Sequence, residues 1–339
     1  MTDGAQSVVL GTTELGPQWH TLDPFLFCAH HEDAYPPGNG EFAPSESLAG
    51  RDIGSDFSGI DGWSMYHGSS VPGFPQHPHR GFETITFARR GLIDHSDSLG
   101  ATARFGRGDV QWMTAGSGIV HSEMFPLVNT DSNNHTELFQ VWLNLPAADK
   151  LVDPYFTMLW SEKMPTLELD GGGTVTIIAG QLGDVEPPKP PPNSWAARSE
   201  ADIAMWHITL PAGSRWTVPG GAASSSRVLY QFAGSGLTIE DQRFVGRTGV
   251  QVRCDVDLEI AAPDEPIEIL LLQGTPIGEP VERHGPFVMN TRAEIQQAFE
   301  DYQRTEFGGW PWTRDDPVHS IDDGRFALHA DGHREDAPT

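Results

Sequence analysis

The amino-acid sequence predicts an all-β protein built from two barrel or sandwich domains, on three observations. Short apolar segments separated by turn residues recur along the chain: Thr84–Phe87, Asp109–Met113, Leu138–Leu145, Val175–Ala179, Met205–Leu210, Val228–Phe232, Gly249–Cys254 and Ile267–Leu272. Glycine (37 residues) and proline (27) punctuate them, and sustained helical periodicity is rare. The length, 339 residues, exceeds one ordinary domain and suits two. The segments fall into two blocks of similar size and rhythm, 60–145 and 170–275, with no repeat by identity.

Each part of this organisation has a local reason. The first domain is expected over 1–145. It carries an acidic, Gly/Pro-rich stretch near 31–62 that reads as a surface insertion. The second domain is expected over 146–312. Its run Glu186-Pro187-Pro188-Lys189-Pro190-Pro191-Pro192-Asn193 lacks the N–H groups a helix or central strand needs, so it reads as an extended loop. One helix is predicted over 291–304. Thr291-Arg292-Ala293-Glu294 has capping-box spacing, and Ile295, Ala298, Phe299 and Tyr302 repeat on one face. The tail 313–339 mixes Asp, Gly, Pro and His without period and is expected to be mobile, its His319, His329 and His333 solvated.

Composition excludes several function classes. Apolar residues make up 38% of the chain, enough for real cores, but no run approaches the roughly 18 residues of a membrane span. Met1-Thr2-Asp3-Gly4 has neither the basic start nor the apolar stretch of a secretory leader. Cys28 and Cys254, far apart, make no disulfide framework, which fits a reducing, cytoplasmic setting. There are 47 acidic against 21 basic residues, a net charge of −26, so phosphate backbones and anionic membranes repel the chain. The acidity lies mostly outside the first block: residues 67–145 carry seven acidic and five basic side chains. A solvated surface explains it, with a salty cytoplasm as the sharper reading.

The chemistry concentrates in two short stretches. In Gly73-Phe74-Pro75-Gln76-His77-Pro78-His79-Arg80-Gly81-Phe82-Glu83-Thr84, His77 and His79 are two apart and share one face of a strand. In Gly116-Ser117-Gly118-Ile119-Val120-His121-Ser122-Glu123, so do His121 and Glu123. Two such strands side by side offer three imidazoles and a carboxylate to one ion. That donor set suits Fe, Mn, Co, Ni or Zn and leaves coordination positions open for a substrate. Glu83 is also even-spaced from His79, so parity alone leaves it in contention. His30 and His31 are adjacent and face opposite ways; His207, alone in an apolar segment, reads as a satisfied core histidine, and His284 as a packing residue. Trp112, Met113, Phe82 and Phe125 could wall a pocket, although core packing is the simpler role.

These words carry a resemblance. His77-Pro78-His79-Arg80-Gly81-Phe82-Glu83-Thr84, the run Gly108 to Met124, His284-Gly285-Pro286-Phe287-Val288-Met289-Asn290-Thr291 and Leu22-Asp23-Pro24-Phe25 resemble successive blocks of the pirin family, in the cupin superfamily. The resemblance spans residues 22 to about 310. It implies a bicupin: two stacked jelly-roll barrels with a short C-terminal helix and a metal in the N-terminal barrel alone. It places the metal ligands at His77, His79, His121 and Glu123, with Glu83 at most beside the centre. Consistent with one metal, the second block has no His-x-His or His-x-Glu, and Ala222–Ser226 holds small residues instead.

The resemblance implies an activity as well. Some pirins resemble quercetin 2,3-dioxygenases, which open a flavonol ring with release of carbon monoxide. This chain is then expected to be a dioxygenase with one divalent metal, Fe(II) foremost and Mn, Ni, Co or Zn as alternatives. Its partners would be O2 and a small aromatic or enediol substrate. Glu123 would serve as ligand and candidate base, with Glu83 as a lesser candidate. The alternative implied is an iron- or redox-sensing regulator that binds a protein partner without turnover. The insertion at 31–62 and the tail beyond Trp312 depart from the family pattern.

Overall fold

The computed structural model describes residues 7–338. The one α-helix among them spans Arg292–Thr305, and nearly all other regular structure is β-strand. No helix among the described residues is long and apolar enough to cross a membrane. Residues 1–6, on which the leader expectation rests, lie outside the described region.

The chain divides into two compact units, but not at residue 145. One unit joins residues 1–28 to 163–278, and the other joins 29–162 to 279–339. The expected boundaries, 1–145 and 146–312, are therefore corrected at both ends. The strand Val9–Glu14 alternates in exposure and lies antiparallel to Thr248–Val252, more than 230 residues later. Alternation identifies a strand with one solvated face but says nothing about its partner or its place at the sheet edge.

In the unit holding 163–278, seven strands run in the order Val9–Glu14, Thr248–Val252, Ser226–Ala233, Ile267–Gly274, Ala204–Leu210, Thr174–Ala179, Thr166–Glu168. A second sheet orders Arg215–Val218, Leu258–Ala261, Gly236–Ile239 and Gln242–Val245. Their inward positions are apolar: Val175, Ile177, Ile208, Leu229, Val250, Ile260, Ile269 and Leu271 form a closed core. This interior is filled with branched side chains, and no metal-ligand cluster lies there among the described residues.

The other unit carries the His motifs. One sheet orders Tyr155–Leu159, Asp109–Thr114, Phe82–Arg90, Asn134–Asn144 and Phe25–Tyr35. The opposing sheet orders Arg334–Asp336, Phe326–Leu328, Thr102–Gly106, Leu92–Asp97, Ile119–Met124 and Gly73–His79. Ile93, Ala103, Phe105, Met113, Ile119, Leu138 and Phe156 fill the space between them.

The helix was legible in sequence, and its cap forms as spaced. Thr291 Oγ1 accepts the Glu294 backbone N–H at 3.3 Å, and the Glu294 carboxylate accepts the Asn290 N–H at 3.1 Å. Its apolar face, Ile295, Ala298, Phe299 and Tyr302, packs on Val120, Phe287 and Phe307. The helix thus covers the His-bearing unit rather than the second barrel.

Two further expectations are corrected. The stretch 31–62 does not begin as an insertion, because the strand Phe25–Tyr35 runs through its start and buries Asp33 and Tyr35. Its remainder is stapled by Arg51, whose guanidinium lies 3.3 Å from the Trp63 ring centroid and donates to Asp56 and to the Trp63 and Ile60 carbonyls. The tail is ordered too. Phe326–Leu328 adds a strand beside Thr102–Gly106, burying Phe326 and Ala327. His319 Nε2 sits 3.1 Å from the His95 and Ala103 carbonyls and His329 stacks on Phe156, so both are held by the fold, whereas His333 is exposed as expected. These anchors use backbone groups and isolated side chains, which leave no period in the sequence.

Candidate metal centre

The strands Gly73–His79 and Ile119–Met124 run antiparallel, and their register brings the motifs together. His77 lies opposite His121, and His79 opposite Ile119. Ring centroids are 4.4 Å apart for His77–His121, 4.8 Å for His77–His79 and 4.9 Å for His79–His121. One ring nitrogen from each histidine lies within 4.8 Å of the other two, a group able to hold a metal ion.

The turn after His79 is fixed by its own residues. Gly81 has φ of +85°, and a Cβ there would come within 2.0 Å of the Val288 carbonyl oxygen, so only glycine fits. Lys150, buried, donates from Nζ to the Gly81 carbonyl and to Asn144 Oδ1, each at 2.8 Å. Arg80 donates to the Ser117 carbonyl at 2.7 Å and to Asp301 on the helix at 2.9 Å.

A metal suits the donor atoms present. Both ring nitrogens of His121 are buried without a hydrogen-bond partner, and so are those of His79, near the Pro286 carbonyl but without a closed bond. Buried polar atoms left unpaired are costly, and one nitrogen from each of these rings converges with one from His77, where a shared ion would pair them. His77 Nδ1 lies 2.8 Å from the Pro75 carbonyl, which fixes the N–H there and leaves Nε2 as a lone-pair donor. Burial holds all three imidazoles neutral: His77 is pushed down to about 4, and His79 and His121 well below their ordinary value.

Glu123 shares the inward face, with Oε2 4.0 Å from His121 Nε2. Its carboxylate accepts from Thr86 Oγ1 at 3.1 Å and from Gln140 Nε2 at 2.7 Å. Burial pushes its carboxyl up. Glu83 is placed otherwise: it is one strand position off the Thr84/Thr86 face and accepts from Thr114 Oγ1 at 2.7 Å. Since Thr86 meets Glu123, strand parity turns Glu83 to the opposite face, so the suggestion that Glu83 sits beside the centre is corrected.

The four candidate pocket-wall residues divide. Phe82 is at the site, 5.1 Å from His79 and 4.2 Å from Trp142, whose indole lies 5.4 Å from His79. Arg283 stacks over Trp142 at 4.7 Å and lines a cleft of about 700 Å³ with His284 and Phe299. Met113 and Phe125 belong to the core, and Trp112 faces away from Met113 on the same strand.

Sequence reasoning missed His95 and Asp97. The strand Leu92–Asp97 pairs with Ile119–Met124 so that His95 opposes Glu123 and Asp97 opposes His121. His95 Nε2 lies 3.3 Å from Asp97 Oδ2, and its ring 5.4 Å from His121. The signal was a third i, i+2 pair of potential ligands, within the polar run Asp94-His95-Ser96-Asp97-Ser98.

One pH consequence follows from the buried rings. His31 and His77, each held down near 4 by burial, bind fewer protons folded than the ordinary 6.5 of the unfolded chain implies. Their contribution to stability is full above pH 6.5 and is lost as pH falls toward 4. Asp33, pushed up to about 6 by burial, opposes them over part of that window. From pH 7.5 to 5 each histidine costs on the order of 2 kcal/mol. The denaturation midpoint of the metal-free protein is expected to be lower at pH 5; an unchanged midpoint would mean that the folded rings accept protons freely.

Three imidazoles converging between two β-sheets, able to hold a metal ion, define a protein of the cupin type. Family models described as Pirin and Pirin C-terminal cupin domain match residues 9–143 and 205–308, and the chain belongs to the pirin family. It is 39% identical over 243 residues to a pirin-like protein of Caulobacter vibrioides, covering 69% of this chain and 80% of that one. It is 36% identical over 241 residues to Pirin-1 of Arabidopsis thaliana, covering 70% and 78%. A crystal structure of quercetin 2,3-dioxygenase from Acinetobacter baumannii superposes with a TM-score of 0.70 at 27% identity, covering 89% and 98%.

Proposed function

We propose that the protein is a metal-dependent dioxygenase, with Fe(II) as its resident ion, that opens quercetin or a related flavonol or enediol. The observation that carries this is the set of unpartnered, neutral imidazole nitrogens of His79 and His121 beside His77 Nε2. The likeness to the Acinetobacter baumannii quercetin 2,3-dioxygenase supports the substrate class. In this reading His77, His79 and His121 donate nitrogen, Glu123 donates carboxylate oxygen, and coordination positions stay open.

The bound ion supplies Lewis acidity and brings substrate and O2 together. The side chains do the rest. Phe82 and Trp142 offer an aromatic wall against which a flat ring packs. The Glu123 carboxylate, steadied by Thr86 and Gln140, takes the proton from the substrate hydroxyl at a carboxylate oxygen. Both oxygen atoms of O2 enter the product as the ring opens and carbon monoxide leaves.

The test is quercetin consumption in air by Fe(II)-loaded protein, followed by loss of the flavonol absorbance. The wild-type chain is expected to consume it, and the His79→Ala variant to show only the background rate. Equal rates in the two would overturn the assignment.

A further inference from the structure

We infer that Asp315 is a positioning residue for His77, acting from the C-terminal segment through the peptide unit that joins Pro75 to Gln76. The inference rests on the metal reading of the histidines above and adds to it a residue beyond both family-model matches, the second of which ends at 308.

The argument starts from a register fault. Phe74 pairs with Glu123 and His77 with His121, so three steps on one strand match two on the other. One extra residue bulges out between Phe74 and His77, and the bulge is what turns His77 toward His121. A bulge takes backbone groups out of the ladder, and those groups must find other partners.

Both ends of the Pro75–Gln76 peptide find them. Its carbonyl accepts from His77 Nδ1 at 2.8 Å, which orients the imidazole. Its N–H, on Gln76, donates to the Asp315 carbonyl at 2.7 Å. The Gln76 side chain then donates from Nε2 to Asp315 Oδ1, also at 2.7 Å. The peptide is planar, so holding its N–H fixes the direction of its carbonyl, and the carbonyl fixes the ring. Asp315 holds residue 76 twice and thereby sets the aim of His77 Nε2.

The segment that carries Asp315 is itself anchored on the strands bearing this site. Trp312 Nε1 donates to the Asp97 carbonyl at 2.9 Å, and Trp310 Nε1 donates to the Arg314 carbonyl at 2.7 Å. Farther on, the Asp94 carboxylate accepts the His319 N–H at 2.8 Å. A rigid strap on both sides of Asp315 makes it a fixed reference point rather than a passing surface contact. Groups that orient a metal ligand through its other ring nitrogen typically change affinity 10- to 100-fold when removed.

The experiment measures loss of bound Fe(II) to a chelator in the full-length chain, for wild type, Asp315→Ala and Asp315→Asn. Asp315→Ala keeps the main-chain carbonyl that accepts the Gln76 N–H but loses the Oδ1 grip on the Gln76 side chain, so the remaining bond opens more often. It is expected to release metal about tenfold faster, with faster amide exchange at Gln76 and an unchanged circular dichroism spectrum. Asp315→Asn keeps an acceptor oxygen and is expected to restore the wild-type rate, which a merely structural role of the charge would not do. Release from Asp315→Ala at the wild-type rate, or an Asn variant as fast as the Ala variant, overturns the inference while leaving the metal centre standing. A wild-type chain that holds no metal overturns both.

Discussion

His121→Ala is expected to lower bound metal from about one ion per chain to less than a tenth of one, measured on the isolated protein after reconstitution and desalting. His121 is central to the triad, with its ring within 5 Å of both His77 and His79. It is fully buried, neutral, and without a partner at either nitrogen, so it has no competing role in the fold. Alanine removes one donor of the trio and leaves a small polar hole, which water can fill. The fold is expected to survive. The charged form of the ring is strongly disfavoured by burial, and the neutral form makes no hydrogen bond that the substitution would break. Metal retained at wild-type stoichiometry would show that the ion sits elsewhere.

Arg104→Met is expected to have the largest effect on stability. Arg104 and Asp94 are both almost wholly buried and meet in a bidentate pair, Nε to Oδ1 and Nη2 to Oδ2, each 2.7 Å. The same guanidinium donates to the carbonyls of Ser320, Asp323 and His319. Methionine fills much of the volume but leaves a buried carboxylate that keeps the His319 N–H and loses both guanidinium bonds. Removing one partner of a buried pair costs about 3–5 kcal/mol, read as a lower denaturant midpoint. The double variant Arg104→Met/Asp94→Leu is expected to recover much of that loss, because no buried charge remains. A single variant as stable as wild type would mean that Asp94 takes up a proton or rehydrates without cost.

The all-β class was legible because short apolar segments recur between glycine- and proline-bearing turns, and that cadence is a local property. The histidine trio was legible for the same reason. His77, His79 and His121 each lie at even spacing within short motifs, and one strand pairing joins them. What the sequence concealed is partnership at a distance. Nothing local in Val9–Glu14 tells that Thr248–Val252 is its neighbour. The ordering of the tail depends on carbonyls gripped by Arg104 and on two buried residues, Phe326 and Ala327. Neither has a period to detect. Glu83 failed for a subtler reason: counting from His79 crosses the turn at Gly81, where strand parity is reset.

The exchange of segments between the two units bears on how the chain matures during synthesis. Val9–Glu14 is made more than 230 residues before Thr248–Val252, the strand it pairs with. Thr102–Gly106 likewise keeps one edge open until Phe326–Leu328 is made. Neither unit can complete its sheets from a contiguous nascent stretch: one waits for strands up to Ile267–Gly274 and the other for Phe326–Leu328 and Arg334–Asp336. The strongly acidic character of the chain then has a second use: mutual repulsion between growing polypeptides keeps unpaired sheet edges apart while they wait.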